Sequence, residues 1–326
     1  MNHVELVKRA AKLTWRYKVL WILGFLVALT SGGGGGSGSR FSNSFGSSGD
    51  GFGGFENGMS LPDNFGAILL LVCVVLFLLF LVMVVVSTVA RTGLYRSVDK
   101  IEETGVAPTW RAALRLGWNQ RSVRIFLADL VVGLIFLIAA MLLFLLGATP
   151  LFLRVVDNEV LSTIGIVLTV LLELLAFLIF LVAAALISLL SNFWHREIAL
   201  HDRSVGEAIS NSVQLARKNA ANVGVFWLLM AGIGIGIGIV LLPIVLVLLA
   251  AAGAIGAGLG YAAYAATNSE LIGVLVGLPP ALIIFLLPSA ILNGIFEVFN
   301  SSAWTLAYRE LTGAATPAAL PAQIES

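Results

Sequence analysis

The chain has 326 residues, of which 59% are hydrophobic and only 11% are charged. A water-soluble domain covers its outside with charged side chains, so this composition excludes an ordinary soluble enzyme or binding domain. We therefore predict a single integral membrane domain over residues 1–326. The formal net charge of +1 gives no argument for nucleic acid, and we expect no such partner.

The first apolar stretch, Val19 to Leu29, follows a basic amphipathic segment at residues 3–18. Its length also fits a cleaved signal peptide. We favour an uncleaved first membrane span, because no clean small-x-small cleavage site follows it. Residues 31–64 are rich in Gly and Ser and too poor in aliphatic residues to bury a core, so we predict a flexible external loop. A binding arm is the alternative for this loop.

Five further apolar runs lie at residues 65–90, 123–148, 160–191, 223–250 and 271–307. Each is near or above the roughly 20 residues that a helix needs to cross a bilayer. Together with the first stretch they predict six transmembrane helices. The small, apolar connection at 251–270 has three possible structures: an extension of the fifth span, a short outer helix or a re-entrant segment.

Every Lys and Arg except Arg40 and Arg154 falls near the termini or within two segments, 91–122 and 194–222, or just past them. The positive-inside rule then places both termini in the cytoplasm of a plasma (inner) membrane protein. We call the two segments elbows and predict that they are amphipathic and lie at the cytoplasmic surface, as does the tail at 313–326. An aromatic belt is expected at the same level, from Trp15, Trp110, Trp118, Trp194, Trp304, Tyr17, Tyr95 and Tyr308.

Similar segments recur along the chain and predict three parallel hairpin repeats, each an elbow helix followed by two spans. Chance similarity between amphipathic helices is the alternative. The elbow copies are 10–18, 113–121 and 213–218, and the copies where a span returns to the cytoplasm are 87–96, 191–198 and 300–309.

The segment His201 to Asn219, within the second elbow, and the segment Trp15 to Phe25 resemble a group of uncharacterised prokaryotic six-helix membrane proteins. That group is similar to the membrane domain sometimes fused to glycerophosphoryl diester phosphodiesterases. The resemblance implies a six-helix membrane fold. It implies no catalytic activity, because the phosphodiesterase domain is absent from this sequence, and it transfers no site residues.

Three carboxyl groups, Asp129, Glu173 and Glu297, lie in apolar runs, where ionisable groups are costly and mark candidate sites. Asp129 also has a purely structural explanation, an ion pair with Arg124 one and a half turns earlier. Glu173 is either a protonated, hydrogen-bonded acid or a ligand or proton site.

Glu297 belongs to a polar stripe along one face of the sixth span. Such a face is expected to look into the helix bundle, either as interhelical hydrogen bonding or as the wall of a cavity. The stripe consists of Ser289, Asn293, Glu297, Asn300, Ser301 and Trp304.

Four glycines at alternate positions of 231–240 form two small-xxx-small pairs, which predict close helix packing. The basic residues of the elbows fit anionic lipid headgroups, and a cytoplasmic protein partner is the competing use. The headgroup candidates are Arg111, Arg115, Arg121, Arg124, Arg217 and Lys218.

No spacing of His, Cys, Asp or Glu fits a metal site, and no catalytic motif is found. We therefore predict an all-α polytopic bundle that is not an enzyme and uses no cofactor. The favoured role is a membrane scaffold or lipid-associated subunit, with a protein partner or a homo-oligomer as possible assemblies. The alternative is a small-solute or lipid transporter that uses the intramembrane carboxylates.

Overall fold

The computed structural model describes residues 2–30, 65–155 and 158–314, and over these ranges it contains helices and no strand. The predicted external loop, 31–64, and the tail from residue 315 lie outside the described residues. The all-α prediction is confirmed.

Within these described ranges nine α-helices follow one another, and each short amphipathic helix precedes two apolar ones. The bounds are α1 His3–Arg16, α2 Val19–Thr30, α3 Phe65–Thr104, α4 Trp110–Gly117, α5 Gln120–Gly147, α6 Glu159–His201, α7 Val205–Lys218, α8 Ala220–Thr267 and α9 Glu270–Thr312, with a 3₁₀ helix at Thr149–Val155.

Five of these helices, α3, α5, α6, α8 and α9, are long and apolar enough to cross a membrane. A sixth span results if α1 and α2 are counted together, although they meet at an angle of 99°. The chain is therefore a multi-pass membrane protein by helix length and composition. The angle also means that α1 and α2 do not run in the same direction.

Local sequence explains where several helices begin and end. Asn158 accepts hydrogen bonds from the amides of Val160 and Leu161 and so starts α6. Ser204 and Glu207 form a capping box at the start of α7. Asp202 directly follows the last residue of α6. Its positive φ of 57° is a conformation that is common at the C-terminal ends of helices.

The helix bounds differ from the bounds predicted for the two elbow segments. The first part of each predicted elbow continues the preceding helix, so that α3 runs to Thr104 and α6 to His201. The separate amphipathic helices are α4 and α7. Of the three alternatives for 251–270, the structure has the first: α8 is continuous to Thr267.

Both hydrophobic cores lie at one end of the molecule, which we call the packed end. It comprises α1, α2, α4 and α7, the first turns of α5 and α8, and the C-terminal parts of α3, α6 and α9. The larger core is built around Leu20, Leu94, Phe193, Phe226 and Trp304, and the smaller around Ile125, Trp194, Ile198 and Ala208.

Each amphipathic helix packs against the C-terminal part of a long helix. α4 packs on α3 and α7 packs on α6. In the same way α1, the first helix, packs on α9, the last one. Each uses two buried small residues one helical turn apart: Ala10 and Thr14, Ala113 and Gly117, and Ala208 and Ser212. Small residues allow the backbones to approach closely.

The rest of the long helices forms what we call the apolar end: residues 70–85, 130–147, 159–186, 231–267 and 270–291. Large apolar side chains there are exposed on several faces of each helix, as in Ile166, Val167 and Leu168 of α6. Contacts are made mainly within the α5–α6 and α8–α9 pairs, and the former includes stacked Phe136 and Phe180, with ring centroids 4.9 Å apart. Lipid is a fitting solvent for such surfaces.

The glycines that bring helices together are not those that the sequence pattern indicated. Gly232, Gly236 and Gly238 have no neighbour within 4 Å of an added Cβ, so the predicted packing is wrong for them; Gly234 meets only the ring of Phe296. The close crossings lie elsewhere. The glycines at these crossings are Gly24 and Gly294 between α2 and α9, Gly93 and Gly117 between α3 and α4, and Gly256, Gly260, Gly273 and Gly277 between α8 and α9.

Candidate functional site: a buried polar cluster and an exposed basic surface

Arg196, near the end of α6, is the largest side chain that is fully buried in the described residues. Its Nε donates to Thr305 Oγ1 at 3.1 Å, and one terminal nitrogen donates to the carbonyl of Ser301 at 3.0 Å, both on α9. The other terminal nitrogen donates to the carbonyl of Asn192, one turn earlier in α6.

An aromatic ring from a third helix covers the same guanidinium. The Tyr95 ring of α3 lies 4.7 Å from the Arg196 carbon, a distance at which a cation is attracted to a ring face. Glu297 of α9 lies within electrostatic range of both Arg196 and Tyr95. The cation therefore joins α3, α6 and α9.

Asp129 of α5 belongs to a second group that touches the first. Its carboxylate lies 2.6 Å from Nε2 of His195 and accepts a longer bond, 3.4 Å, from the indole N–H of Trp194. The predicted pair with Arg124 is wrong, because Arg124 binds Asp202 instead. The His195 ring stacks on Tyr95, with centroids 6.2 Å apart, and so connects the two groups.

Glu173, the third predicted carboxyl, lies far from this cluster in the apolar part of α6. It is half-buried, and its Oε1 would be 3.0 Å from a Cβ placed on Gly147, the last residue of α5. Its side chain therefore lies against the end of α5. The structure does not bring it together with Asp129 or Glu297.

The predicted polar stripe on α9 is graded in burial. Ser301 and Trp304 are buried, and Asn293, Glu297 and Asn300 are half-buried. The buried end of the stripe is the part that receives Arg196. The stripe thus contacts α6 through the backbone carbonyl of Ser301 as well as through side chains. A pattern of side-chain types does not predict such a backbone contact.

Two of the six headgroup candidates have partners inside the protein. Arg121 donates to the carbonyl of Ala199 at 2.7 Å and lies 3.3 Å from the Asp202 carboxylate. Arg124 binds both the carbonyl and the carboxylate of Asp202 at 3.0 Å. These arginines hold the C-terminus of α6, where cations also complement the helix dipole.

The other four candidates, Arg111 and Arg115 on α4 and Arg217 and Lys218 on α7, are exposed. The Arg111 guanidinium lies 5.1 Å from the ring of Trp110. These four side chains are oriented so that a ligand outside the protein can reach them.

Seven of the eight residues of the predicted aromatic belt fall into two groups, and the eighth, Tyr17, is half-buried and donates to the carbonyl of Gly105. Trp15, Trp110 and Trp118 are exposed, as a belt requires. Trp194, Trp304, Tyr95 and Tyr308 are buried in the packed end, so the prediction is wrong for these four. Sequence position alone does not distinguish an interfacial ring from a core ring near the same helix end.

Sequence reasoning missed Arg196 as the centre of the cluster. The signal was present, since a run of Asn, aromatic and charged residues from 192 to 197 directly continues an apolar helix. Such residues in mid-helix need partners on neighbouring helices. Nothing in the local sequence shows that those partners are on α3 and α9.

The cluster consists of groups that hold one another, with the His195–Asp129 pair at its edge. Within the described residues no group of three His, Cys, Asp or Glu side chains is placed to hold a metal ion. The geometry therefore favours a structural role for this cluster.

Comparison with known proteins gives one match. The model of a family of unknown function, DUF7544, matches residues 9–306, so the chain belongs to that family. No curated protein and no solved structure matches the chain. The resemblance to the membrane domain fused to phosphodiesterases stays a prediction.

Proposed function

We propose that this member of the DUF7544 family is a non-enzymatic scaffold of the plasma (inner) membrane, with six spans and both termini in the cytoplasm. In this proposal each unit consists of a cytoplasmic elbow helix and two spans, and α1, α4 and α7 are the elbows. The second segment of the first unit, α2, has only 12 residues, which give about 18 Å of helix. Lys18, which is exposed just before it, would extend to the headgroups.

The observation that carries the proposal is the fixed state of Arg196. All of its nitrogens donate to groups of the protein itself, and Tyr95 covers its face. A transport site needs polar groups that become accessible and exchange partners during the cycle. A cation held in this way instead fixes the relative positions of three helices.

The orientation of the elbows is supported by their charge and angle. α1 meets α2 at 99°, and its outer face carries exposed Lys8, Lys12 and Arg16. An amphipathic helix with a basic face lies in the membrane surface. The basic outer faces of the elbows are therefore proposed to lie against the anionic cytoplasmic leaflet.

The transporter alternative is favoured by one observation, the incomplete burial of Glu297 beside buried Arg196. A carboxylate at the edge of a polar cluster can take up a proton from a pathway and change the balance of charge inside it. The second arm of the experiment below tests this alternative.

The experiment uses the full chain in vesicles that contain a pH-sensitive dye. The scaffold proposal expects the wild type and Glu297→Gln to give the same slow proton leak as empty vesicles. A leak that the wild type shows and Glu297→Gln abolishes, with the fold intact, would establish the transporter alternative instead.

Topology is tested separately in a Cys73→Ala background. A cysteine at exposed Glu159 is expected to react with an impermeant thiol reagent from outside, and one at exposed Gln214 on α7 only after the membrane is opened. The opposite pattern would reverse the proposed orientation.

A further inference from the structure

The first two elbow helices share a surface pattern that is more specific than their amphipathic character. Residues 8–15 read KRAAKLTW and residues 111–118 read RAALRLGW. In both, a basic residue is followed by another four positions later and by a Trp after three more. The pairs that correspond are Lys8 with Arg111, Lys12 with Arg115 and Trp15 with Trp118.

The structure places the two copies in the same relation to the protein. The third residue of each copy, Ala10 or Ala113, is fully buried, and the small residue four positions later, Thr14 or Gly117, is also buried. The two cations and the Trp of each copy are exposed. Trp15 is 64% exposed and Trp118 is 73% exposed, which is unusual for so large an apolar ring.

Contacts within the protein determine which cations of the first copy a ligand can reach. Arg9, between the two outward lysines of the first copy, forms an ion pair with Glu102 of α3 and so belongs to the packed end. Trp15 meets Trp21 edge-on with ring centroids 5.5 Å apart, and Trp21 donates to the carbonyl of Thr14 at 2.8 Å. The first site is thus positioned by the protein before a ligand binds.

Residues four apart lie on one face of a helix, so each copy presents two cations one turn apart, with the Trp about one turn further on. Two adjacent cations suit a phosphodiester anion. An exposed Trp suits the boundary between water and hydrocarbon, where its ring is buried and its N–H stays hydrated. A phospholipid headgroup offers both environments, and an acidic protein surface offers only the first.

We infer that the outer faces of α1 and α4 are two equivalent binding sites for anionic phospholipids, each made of two cations and a Trp. The inference rests on the proposed placement of the elbows at the cytoplasmic leaflet. It names the lipid class and limits the sites to two. Lys8, Lys12 and Trp15 form the first, and Arg111, Arg115 and Trp118 form the second.

The third elbow provides the matched control. Aligned on its buried small pair, Ala208 and Ser212, the corresponding segment 206–213 reads GEAISNSV and has neither the cations nor the Trp. The exposed cations of α7, Arg217 and Lys218, come later in the helix. These two cations carry the same charge as the two cations of one proposed site. They are adjacent in sequence, however, and not four residues apart.

The test uses the full chain in a neutral detergent and counts bound phosphatidylglycerol by native mass spectrometry, with phosphatidylcholine as the neutral lipid. We expect two phosphatidylglycerol molecules that resist removal. Lys8→Gln with Lys12→Gln, or Arg111→Gln with Arg115→Gln, should each weaken one of them about 30-fold, since each charge contributes about 1 kcal/mol. Arg217→Gln with Lys218→Gln should leave both unchanged.

An equal loss in the α7 control, or equal retention of phosphatidylcholine, would overturn the two-site inference. So would unchanged binding in both elbow variants when gel filtration shows that they are folded. Displacement of the lipid by an equal concentration of glycerol phosphate would identify a soluble phosphate ligand and also contradict it. Because binding is counted in detergent, these outcomes are independent of the proton-leak and thiol-labelling results on which the proposed function depends.

Discussion

The packed end and the apolar end of this protein are stabilised in different ways. The packed end buries aromatic and aliphatic cores together with charged groups such as Arg196 and Glu197. The apolar end buries few of its side chains, and its helices meet mainly within hairpins. The contrast is the one expected if water surrounds the packed end and lipid the apolar end, because lipid removes the hydrophobic attraction between helices.

Glycine crossings occur at both ends, and the packed end adds ion pairs between helices. At the apolar end, close contact depends on glycine; a Cβ on Gly256 would stand 2.6 Å from that of Ala281. At the packed end, ion pairs connect different helices, as Arg9 of α1 does with Glu102 of α3 and Arg309 of α9 with Asp99 of α3. We therefore expect substitutions to have effects that depend on the end in which they lie.

The largest effect is expected from Arg196→Met, which removes the cation that joins three helices. It leaves the acceptors on Thr305 and Ser301 without their donor, and loss of one member of a buried charged group costs about 3–5 kcal/mol. Unfolding by SDS in mixed micelles measures the change. Arg217→Met is the control, because the Arg217 side chain is exposed on α7 and its replacement should change stability by less than about 0.5 kcal/mol. Equal stability of the two variants would contradict the central role of Arg196.

A smaller effect is expected at the crossing of α2 and α9. Gly24→Ala places a methyl group against the carbonyl of Gly294 and 2.6 Å from Val298 Cγ2. Overpacking of this kind costs about 1–3 kcal/mol. The same unfolding assay should show no loss for Gly236→Ala, which has nothing within 4 Å. Destabilisation by Gly236→Ala would restore the packing role that the sequence pattern indicated for 231–240.

These two predictions show which structural features the local sequence specifies and which it does not. The apolar runs and the basic elbows are local signals, so the helical class and the long apolar helices were predictable from them. The partners of Asp129, Arg121 and Arg196 come from other helices, up to 109 residues away for Thr305. Helical periodicity indicates which face of a helix is polar, and it does not indicate which neighbour faces it.

The same limit explains why the helix contacts predicted for the alternating glycines of 231–240 were wrong. A small-xxx-small pattern permits close packing, and a helix with several such patterns has several faces that permit it. In α8 the contact with α9 uses Gly256 and Gly260, beyond the segment with alternating glycines. The choice depends on the position of α9, which the short turn after Thr267 sets by returning the chain directly alongside α8.

The smallest effect concerns pH and the capping box that starts α7. Ser204 accepts from the amide of Glu207, and the Glu207 carboxylate accepts from the amide of Ser204 at 3.2 Å. Hydrogen bonds from the Ser204 side chain and backbone hold the pKa of Glu207 below its ordinary value. A lowered folded-state pKa means that the capping bond stabilises the helix above the unfolded pKa, about 4.3, and that this stabilisation is lost as the pH falls through the folded value.

Hydrogen exchange of the first amides of α7, in detergent at a series of acidic pH values, measures this loss. After correction for the intrinsic pH dependence of exchange, their protection is expected to fall at the acid end in the wild type. In Glu207→Gln it should stay constant, because the amide side chain does not titrate. The buried part of α6 beside it, from Phe193 to Ile198, serves as the internal reference and should keep its protection throughout. A parallel loss in both segments would mean that α7 is not an independent local unit, and the contrast between a fixed core and its surface helices would not extend to this elbow.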